Sequence, residues 1–442
     1  MFGTVSSVVV AMSCLGAPAV VSRSSVRRSV SAGHVSATLA IAPRVRHPAS
    51  RRPASRRPAS PLRAREDSYD MGSYDPEMDG YVPPDISLAD LTLGDKIGEG
   101  SFGDVYRAVV ADPNGGPPIA AIAKAYKKNV RGRDWFSFYA DERAVCRRLA
   151  EVGCAGVAPF LGVCGSDAYL VWADVGVVTL SAALERDAGS IPTGNGNESG
   201  ARAHPLRHVA DAVGLGPDAD AATTWRALAR GLIAANIEMH RAGVVHRDVK
   251  PDNAVLTSPA AGSLGGCVAL IDLGACADFE TGQGCDGDEA VFDPTYGAPE
   301  QFVRERKAGI AGGFAGMFAA VAGDASAGIV ATGAPPTPAF DAFSVGLALL
   351  RAAVPALHPA GAMKLARAAM DAAAERVDAG TATEGDSVLG EWAASPGSAS
   401  CDFGLLDEVG GWELVEGLAT WDPERRMTLQ EAAEHPCLQE DR

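Results

Sequence analysis

An α+β chain of two unequal lobes, a small β-rich one followed by a larger helical one, is predicted by three features of the sequence. Between Leu91 and Tyr126, short runs alternate apolar and polar side chains, the period-two signature of half-buried strands, around a glycine-rich turn. Beyond residue 177 the apolar spacing changes to the three-to-four period of helices. Between two such helical stretches lies a polar octet, HRDVKPDN, from His246 to Asn253.

The first strand pair is read from LTLGDKIGEGSFGDVYRAVV, where Gly98, Gly100 and Gly103 stand in G-x-G-x-F-G form. Glycines there let backbone N–H groups approach a polyphosphate, and Ile97 and Val105 are placed to cover a flat aromatic base. The candidate nucleotide contacts are therefore Ile97, Gly98, Glu99, Gly100, Ser101, Phe102, Gly103, Asp104 and Val105. Alone the turn is a weak signal, since most glycine-rich turns are plain hairpins. A third strand, IAAIAKAY, ends near Lys124, which is placed to reach the first two phosphates. The helix that follows, DWFSFYADERAVCRRLA, has an apolar face of Trp135, Phe136, Phe138, Val145 and Leu149, with Glu142 beside it. Glu142 is either an ordinary surface acid or the ion-pair partner of Lys124. Two more strands, at 157–163 and 168–172, lead to a crossover at Ala173–Gly176.

A short helix is predicted from Thr179 to Arg186, and the Gly/Pro/Asn/Asp-rich stretch from Asp187 to Ala222 reads as an insertion or long loop. Trp225, Leu228, Leu232, Ile233 and Ile237 give a helix over 223–242, with Thr223 and Thr224 as its caps. Gly243 stops it, and the octet follows. In the octet, Asp248 is the candidate base for a hydroxyl, Lys250 the phosphate contact and Asn253 a metal ligand. The bland alternative is a loop of ordinary turn residues. VALIDLG then reads as a buried strand ending in Asp272, a carboxylate suited to Mg²⁺ on a triphosphate. The loop from Ala275 to Gly297 holds six acids, Asp278, Glu280, Asp286, Asp288, Glu289 and Asp293, and closes on Ala298-Pro299-Glu300. Glu300 is expected to pair with Arg426, and Asp341, at the start of the buried helix FDAFSVGLALLRAAVP, to hold the backbone at His246. Residues 308–338 read as an insertion, 363–377 as an Ala-rich helix, 381–401 as loose chain and 403–438 as closing helices.

Charge divides the chain. Residues 1–65 contain eleven Arg and no Asp, Glu or Lys, which leaves 28 basic against 55 acidic residues from Glu66 onward, a net of −27. A body that acidic repels phosphate backbones, so nucleic acid is not an expected partner. The Arg- and Ser-rich, acid-free start reads as an organelle transit segment, with a secretory signal as the alternative, and Glu66–Asp90 as an acidic tether. No apolar run is long enough to span a membrane; the nearest, Gly309–Gly323, is short and Gly/Ala-dominated. The nine cysteines form no CxxC pair and have no histidine at zinc spacing, so reduced thiols are expected, Cys276 and Cys285 being the pair nearest to one another in a loop.

With these parts in this order, residues 91–438 resemble a eukaryotic-type protein kinase, and HRDVKPDN, with Lys two places beyond Asp, resembles the serine/threonine class. The finer resemblance is to the chloroplast state-transition kinases, which phosphorylate light-harvesting and photosystem II proteins. It is carried by YLVWADVGVVTL at Tyr169, DLGACAD at Asp272, FDPTYGAPEQF at Phe292, FDAFSVGLALL with AVPAL at Ala353, and LLDEVGGWEL at Leu405.

That resemblance implies a bilobal kinase fold, lobes at about 91–172 and 177–438 with insertions near 187–222, 305–338 and 378–400, and Ser/Thr phosphotransfer from ATP with Mg²⁺, or Mn²⁺ in its place. Asp248, Lys250, Lys124 and Glu142 would be catalytic, Asn253 and Asp272 metal ligands. His246, Arg247, Asp293, Glu300, Asp341 and Arg426 would order the loops, Arg247 by gripping a phosphorylated or acidic loop residue. Asp293 stands where most serine/threonine kinases have a Thr contacting the catalytic Asp. The resemblance also implies protein substrates, a monomer, and a place in the chloroplast stroma or on the stromal face of the thylakoid with peripheral contact only. The sequence before residue 91 lacks the membrane helix and paired cysteines of the redox-regulated member. A catalytically silent scaffold, or a kinase of another compartment, is the alternative.

Overall fold

The computed structural model describes residues 85–99, 103–112, 114–127, 135–165, 169–190, 204–258, 266–285, 293–304, 329–378, 380 and 387–439. The Arg-rich leader, most of the acidic tether, the turn residues Gly100–Phe102, the side chains of Trp135 and Phe136, and residues 305–328 of the predicted insertion lie outside the described residues.

The smaller lobe is built on five strands, β1 (Leu91–Glu99), β2 (Gly103–Val110), β3 (Ile119–Tyr126), β4 (Phe160–Cys164) and β5 (Tyr169–Ala173), paired antiparallel in the order β1-β2-β3-β5-β4. One face buries mostly small side chains, Ala108, Ala121 and Ala123 beside Val110, Val171 and Cys164, and a second cluster joins Tyr126, Val163 and Leu170 of the strands to Tyr139. The predicted strand at 157–163 begins later than expected. Gly162 takes φ 136° at a register break opposite Val171, and Val157 instead makes an isolated bridge to Leu270.

Helix α1 (Trp135–Glu151) buries Val145, Cys146 and Leu149. Those three belong to the same continuous core as Leu273 and the helices of the larger lobe. The helix is thus a part of the lobe interface as much as of the small lobe, and it carries Glu142 there.

In the larger lobe, α2 (Leu180–Ser190), α3 (Arg207–Ala212) and α4 (Ala221–Arg241) precede two short ribbons, β6 (Val244–Val245) with β9 (Ala277–Asp278) and β7 (Ala254–Leu256) with β8 (Val268–Leu270). A third ribbon joins β10 (Phe302–Arg304) to β11 (Ile329–Ala331). Then follow α5 (Pro338–Ala353), α6 (Ala362–Asp378), α7 (Val388–Ala393), α8 (Gly404–Val409), α9 (Trp412–Leu418) and α10 (Leu429–Ala433). Every residue of α5 from Phe340 to Ala353 is buried, as a helix apolar on all sides requires. Its neighbours approach closely at Gly346, where a Cβ would stand 2.9 Å from the Ala419 nitrogen. No helix among the described residues is long and apolar enough to cross a membrane.

Three further expectations are corrected. The cap of α4 is Asp220, whose carboxylate accepts the Thr223 N–H, and neither Thr223 nor Thr224. Within the supposed loop 187–222, α2 continues to Ser190, and α3 buries Leu206 and Val209 against the core. Its apolar residues have helical spacing but are crowded by Gly, Pro and Asp, which masks the period. Within the supposedly loose 381–401, α7 buries Leu389 and Trp392, and the Trp392 ring meets Phe403 edge-on at 5.8 Å. Trp392→Ala is therefore expected to cost about 3–5 kcal/mol, as for an aromatic removed from a packed core. A lower urea midpoint at unchanged slope is the expected result; an unmoved midpoint would return this stretch to the surface.

Candidate active site

The cleft between the lobes is lined by charges that arrive from five separate segments. Lys124, next to the last pair of residues in β3, places its Nζ 2.7 Å from Glu142 Oε2 on α1 and 2.9 Å from Asp272 Oδ1. Glu142 is buried, and the Tyr126 hydroxyl also donates to its Oε2. Burial works against the Lys124 charge, but Asp272 and Glu142 outweigh it and hold the ammonium well above its ordinary pKa. Lys124 in turn is the main cause that keeps the Asp272 carboxyl below the usual carboxylate range. Asp272 is the more accessible partner, its side chain 45% exposed against 1% for Glu142.

The octet folds into a tight loop whose side chains meet locally. Lys250 Nζ lies 2.8 Å from Asp248 Oδ2, and Asn253 Nδ2 donates to the same oxygen and to the Asp248 carbonyl, both at 2.9 Å. Asp293, from the end of the acidic loop, lies 3.8 Å from Lys250 and accepts the Thr295 N–H at 2.8 Å. Burial raises the Asp248 pKa, Lys250 opposes it, and Asp293 adds to the rise. Burial disfavours the Lys250 charge, yet Asp248 and Asp293 together hold its pKa above the ordinary value.

The loop is suspended from one buried carboxylate. Asp341 at the start of α5 accepts the N–H groups of His246 and Arg247, each at 2.8 Å, and meets His240 Nε2 at 2.8 Å. Arg247 has φ 66° and Asp272 φ 62°, both in the left-handed region that ordinary side chains avoid. The His246 ring bonds the Ile271 carbonyl at 3.1 Å, and Arg247 Nε bonds the Ala275 carbonyl, so the octet is tied to the segment that carries Asp272.

At the glycine-rich hairpin, Gly98 pairs with Val105 and Glu99 with Asp104. A Cβ at Gly103 would stand 2.6 Å from the Ala125 carbonyl, so only glycine fits that position. Glu99 meets Lys127 at 2.7 Å and Lys96 at 2.8 Å; these two lysines, in that order, lower its pKa to about 2. Ile97 remains exposed. Gly100, Ser101 and Phe102, and the loop acids Asp286, Asp288 and Glu289, lie outside the described residues. Farther out, Glu300 and Arg426 form a two-pronged pair at 2.6 and 2.9 Å.

Sequence reasoning missed Tyr126, His240, Lys96 and Lys127. A Tyr or His at a strand or helix end carries no motif, and neither does a lone lysine beside a glycine-rich turn. Among the described residues no group of three or more His, Cys, Asp or Glu is gathered as for a tightly held metal. Asn253 and Asp272 instead offer single oxygens, Asn253 through the amide oxygen left once its nitrogen is bonded. Hard oxygen donors in that small number suit a divalent cation whose shell is completed by phosphates and water.

Residues 91–308 match the family described as protein tyrosine and serine/threonine kinase. The chain is 26% identical over 371 residues to the chloroplastic serine/threonine-protein kinase STN7 of Arabidopsis thaliana, covering 80% of this chain and 58% of that protein. It is 26% identical over 330 residues to STN8 of the same plant, covering 67% and 61%. The chain thus spans about 60% of the length of these curated relatives. A crystal structure of an Stt7 homolog from Micromonas algae, soaked with ATP, is similar in fold, with a TM-score of 0.56 and 21% identity over 81% of this chain and 95% of that one.

Asp341 also gives the site a pH signature. Burial pushes its carboxyl up, but the bond from His240, the charges of His240 and His246 and the His246 N–H outweigh burial and hold it below its ordinary value of 3.8. A depressed carboxylate contributes stability that is complete above its unfolded pKa and is lost as pH falls through the folded one. Asp341→Asn is therefore expected to lose about 2–3 kcal/mol at pH 7, with the gap to wild type narrowing below about pH 4. Urea denaturation across a pH series checks this; a gap independent of pH would mean that the carboxylate charge contributes nothing.

Proposed function

We propose that this chain, which carries a protein kinase domain, transfers the γ-phosphoryl group of ATP to Ser and Thr hydroxyls of protein substrates. The observation that carries this reading is the convergence of Lys124, Glu142, Asp248, Lys250, Asn253 and Asp272 on one cleft, from segments far apart in sequence. Lys124, oriented by Glu142, neutralises phosphate charge on one side, and Lys250 on the other. Asp248, fixed by Lys250 and Asn253, orients the acceptor hydroxyl and takes its proton. Asn253 and Asp272 would hold Mg²⁺, which supplies charge neutralisation of the phosphates when bound. The glycine-rich hairpin would lie over the nucleotide, with Ile97 and Val105 against the base.

Similarity to two chloroplastic kinases supports a place in the chloroplast, and the motif resemblance to the state-transition kinases points, among substrates, to proteins of the photosynthetic membrane. The Arg-rich leader is consistent with import. The stromal side is the compartment in which an acidic, reduced-thiol domain would meet ATP.

The sharpest variant is Asp272→Asn, because Asn tolerates the left-handed backbone that Ala would strain. It should lower labelled-phosphate transfer by at least roughly 10³-fold with unchanged circular dichroism. Undiminished transfer in the folded variant sinks the assignment. On this reading an Asp or Glu of the acidic loop stands in for a phosphate at Arg247, so the double variant Thr281→Ala, Thr295→Ala should keep activity within about twofold. Loss of activity there would place regulation in loop phosphorylation.

A further inference from the structure

The segment Asp293–Phe302 begins beside the catalytic cluster and has little regular structure of its own beyond one turn of 3-10 helix at Pro299–Gln301. It is held from beneath by three buried arginines. Arg351 at the end of α5 donates to the Tyr296 hydroxyl at 3.2 Å, to Ser181 Oγ at 3.1 Å and to the His358 carbonyl at 2.9 Å. Arg426 takes Glu300. Arg367, on α6, donates one NH group to the carbonyls of Gly297 at 2.8 Å and Thr295 at 3.3 Å, and its Nε to Asp371 at 2.8 Å. Its guanidinium lies against the rings of Phe302, Phe343 and Trp421, 5.1–5.4 Å from their centroids.

Arg367 is the least expected of the three. A site enclosed by three aromatic rings would be filled at lower desolvation cost by Met or Leu. What only the guanidinium supplies is a planar set of donors that reaches two carbonyls and a carboxylate together. Those carbonyls belong to a tight turn: the N–H groups of Gly297 and Tyr296 both return to the Asp293 carbonyl, at 2.7 and 3.1 Å. A Cβ at Gly297 would stand 3.0 Å from that same carbonyl. Arg367 thus fixes the path of the chain immediately after Asp293, whose carboxylate lies 3.8 Å from Lys250 Nζ. Asp248 lies 2.8 Å from the same Nζ, and an acceptor extends by about 3.3–3.6 Å per residue, so a residue or two from a hydroxyl at Asp248 it reaches that turn.

We propose that Arg367 is a positioning residue for the acceptor: by holding the Thr295 and Gly297 carbonyls it shapes residues 293–298 into the seat for the peptide flanking the phosphorylated hydroxyl. The inference rests on the phosphotransfer reading above. It predicts a defect in acceptor binding, separate from nucleotide use.

The test takes the full chain as wild type, R367K and R367M, with the peptide that wild type phosphorylates best from a degenerate library centred on Ser or Thr. Peptide KM should rise about tenfold in R367M while ATP KM stays within about twofold. R367K keeps the charge and the ring contacts but lacks the fork, and should fall between the two. Circular dichroism establishes which variants fold, and if R367M does not, folded R367K carries the test. A peptide KM unchanged in R367K overturns the inference, as does a fall in kcat shared equally by peptide phosphorylation and acceptor-free ATP hydrolysis with KM unmoved. Absence of phosphate transfer by wild type overturns the phosphotransfer reading and this inference with it.

Discussion

Asp341 is the constraint from which the geometry of the cleft follows. A carboxylate with no exposure must find donors, and here it finds two successive backbone N–H groups and an imidazole. Accepting from residues 246 and 247 together is what holds Arg247 in the left-handed region, a conformation that costs on the order of 1–2 kcal/mol for a side chain with a Cβ. The reversal of the chain at Arg247 then presents Asp248, Lys250 and Asn253 on one side of the loop. Asp341 itself is immobilised because α5 is enclosed on every face, down to a glycine where Leu418 and Ala419 approach. Core packing therefore reaches the cleft through one side chain.

The small lobe is placed by a different means. Its sheet buries small side chains in one cluster and Tyr126, Val163 and Leu170 in another with Tyr139, packing that lies within the lobe and sets no orientation against the large one. Helix α1 supplies it, because Val145, Cys146 and Leu149 pack into the core of the large lobe beside Leu273. The same helix brings Glu142 to Lys124, and Lys124 reaches Asp272 across the cleft. One ammonium thus joins the sheet, the helix and the large lobe, at a point where desolvation makes each pairing stronger than it would be in water.

Both lysines of the cleft are already paired with carboxylates, and the body around them carries a large negative charge. A polyphosphate entering such a surface meets repulsion at long range and attraction only within a few ångströms of Lys124 and Lys250. A phosphate at either ammonium group would share it with the carboxylate already there, Asp272 at Lys124 or Asp248 at Lys250. The three arginines below Asp293–Phe302 are buried, and they hold that segment itself, through the Tyr296 hydroxyl, the Gly297 carbonyl and the Glu300 carboxylate.

How much of this was legible depends on the range of each contact. Lys250 and Asn253 meet Asp248 two and five residues away, so the octet alone determines that meeting once the loop turns. The strand pairing, the helical lobe and the expected partners Lys124 with Glu142 and Glu300 with Arg426 could be read because opposite charges at motif positions name each other. Trp392 and Leu206 were lost among Gly, Pro and small residues, where short helices leave too few turns for a period to show. The sequence by itself determined the order of the elements and the charged groups that the octet brings together, because both are written in local spacing and residue type. Only the tertiary structure decided that His240 shares Asp341, that Tyr126 backs Glu142, and that Arg367 and Arg351 shape the segment after Asp293. Arg367 reaches that segment through main-chain carbonyls, which every residue has, so no pattern of side chains could have marked those two partners.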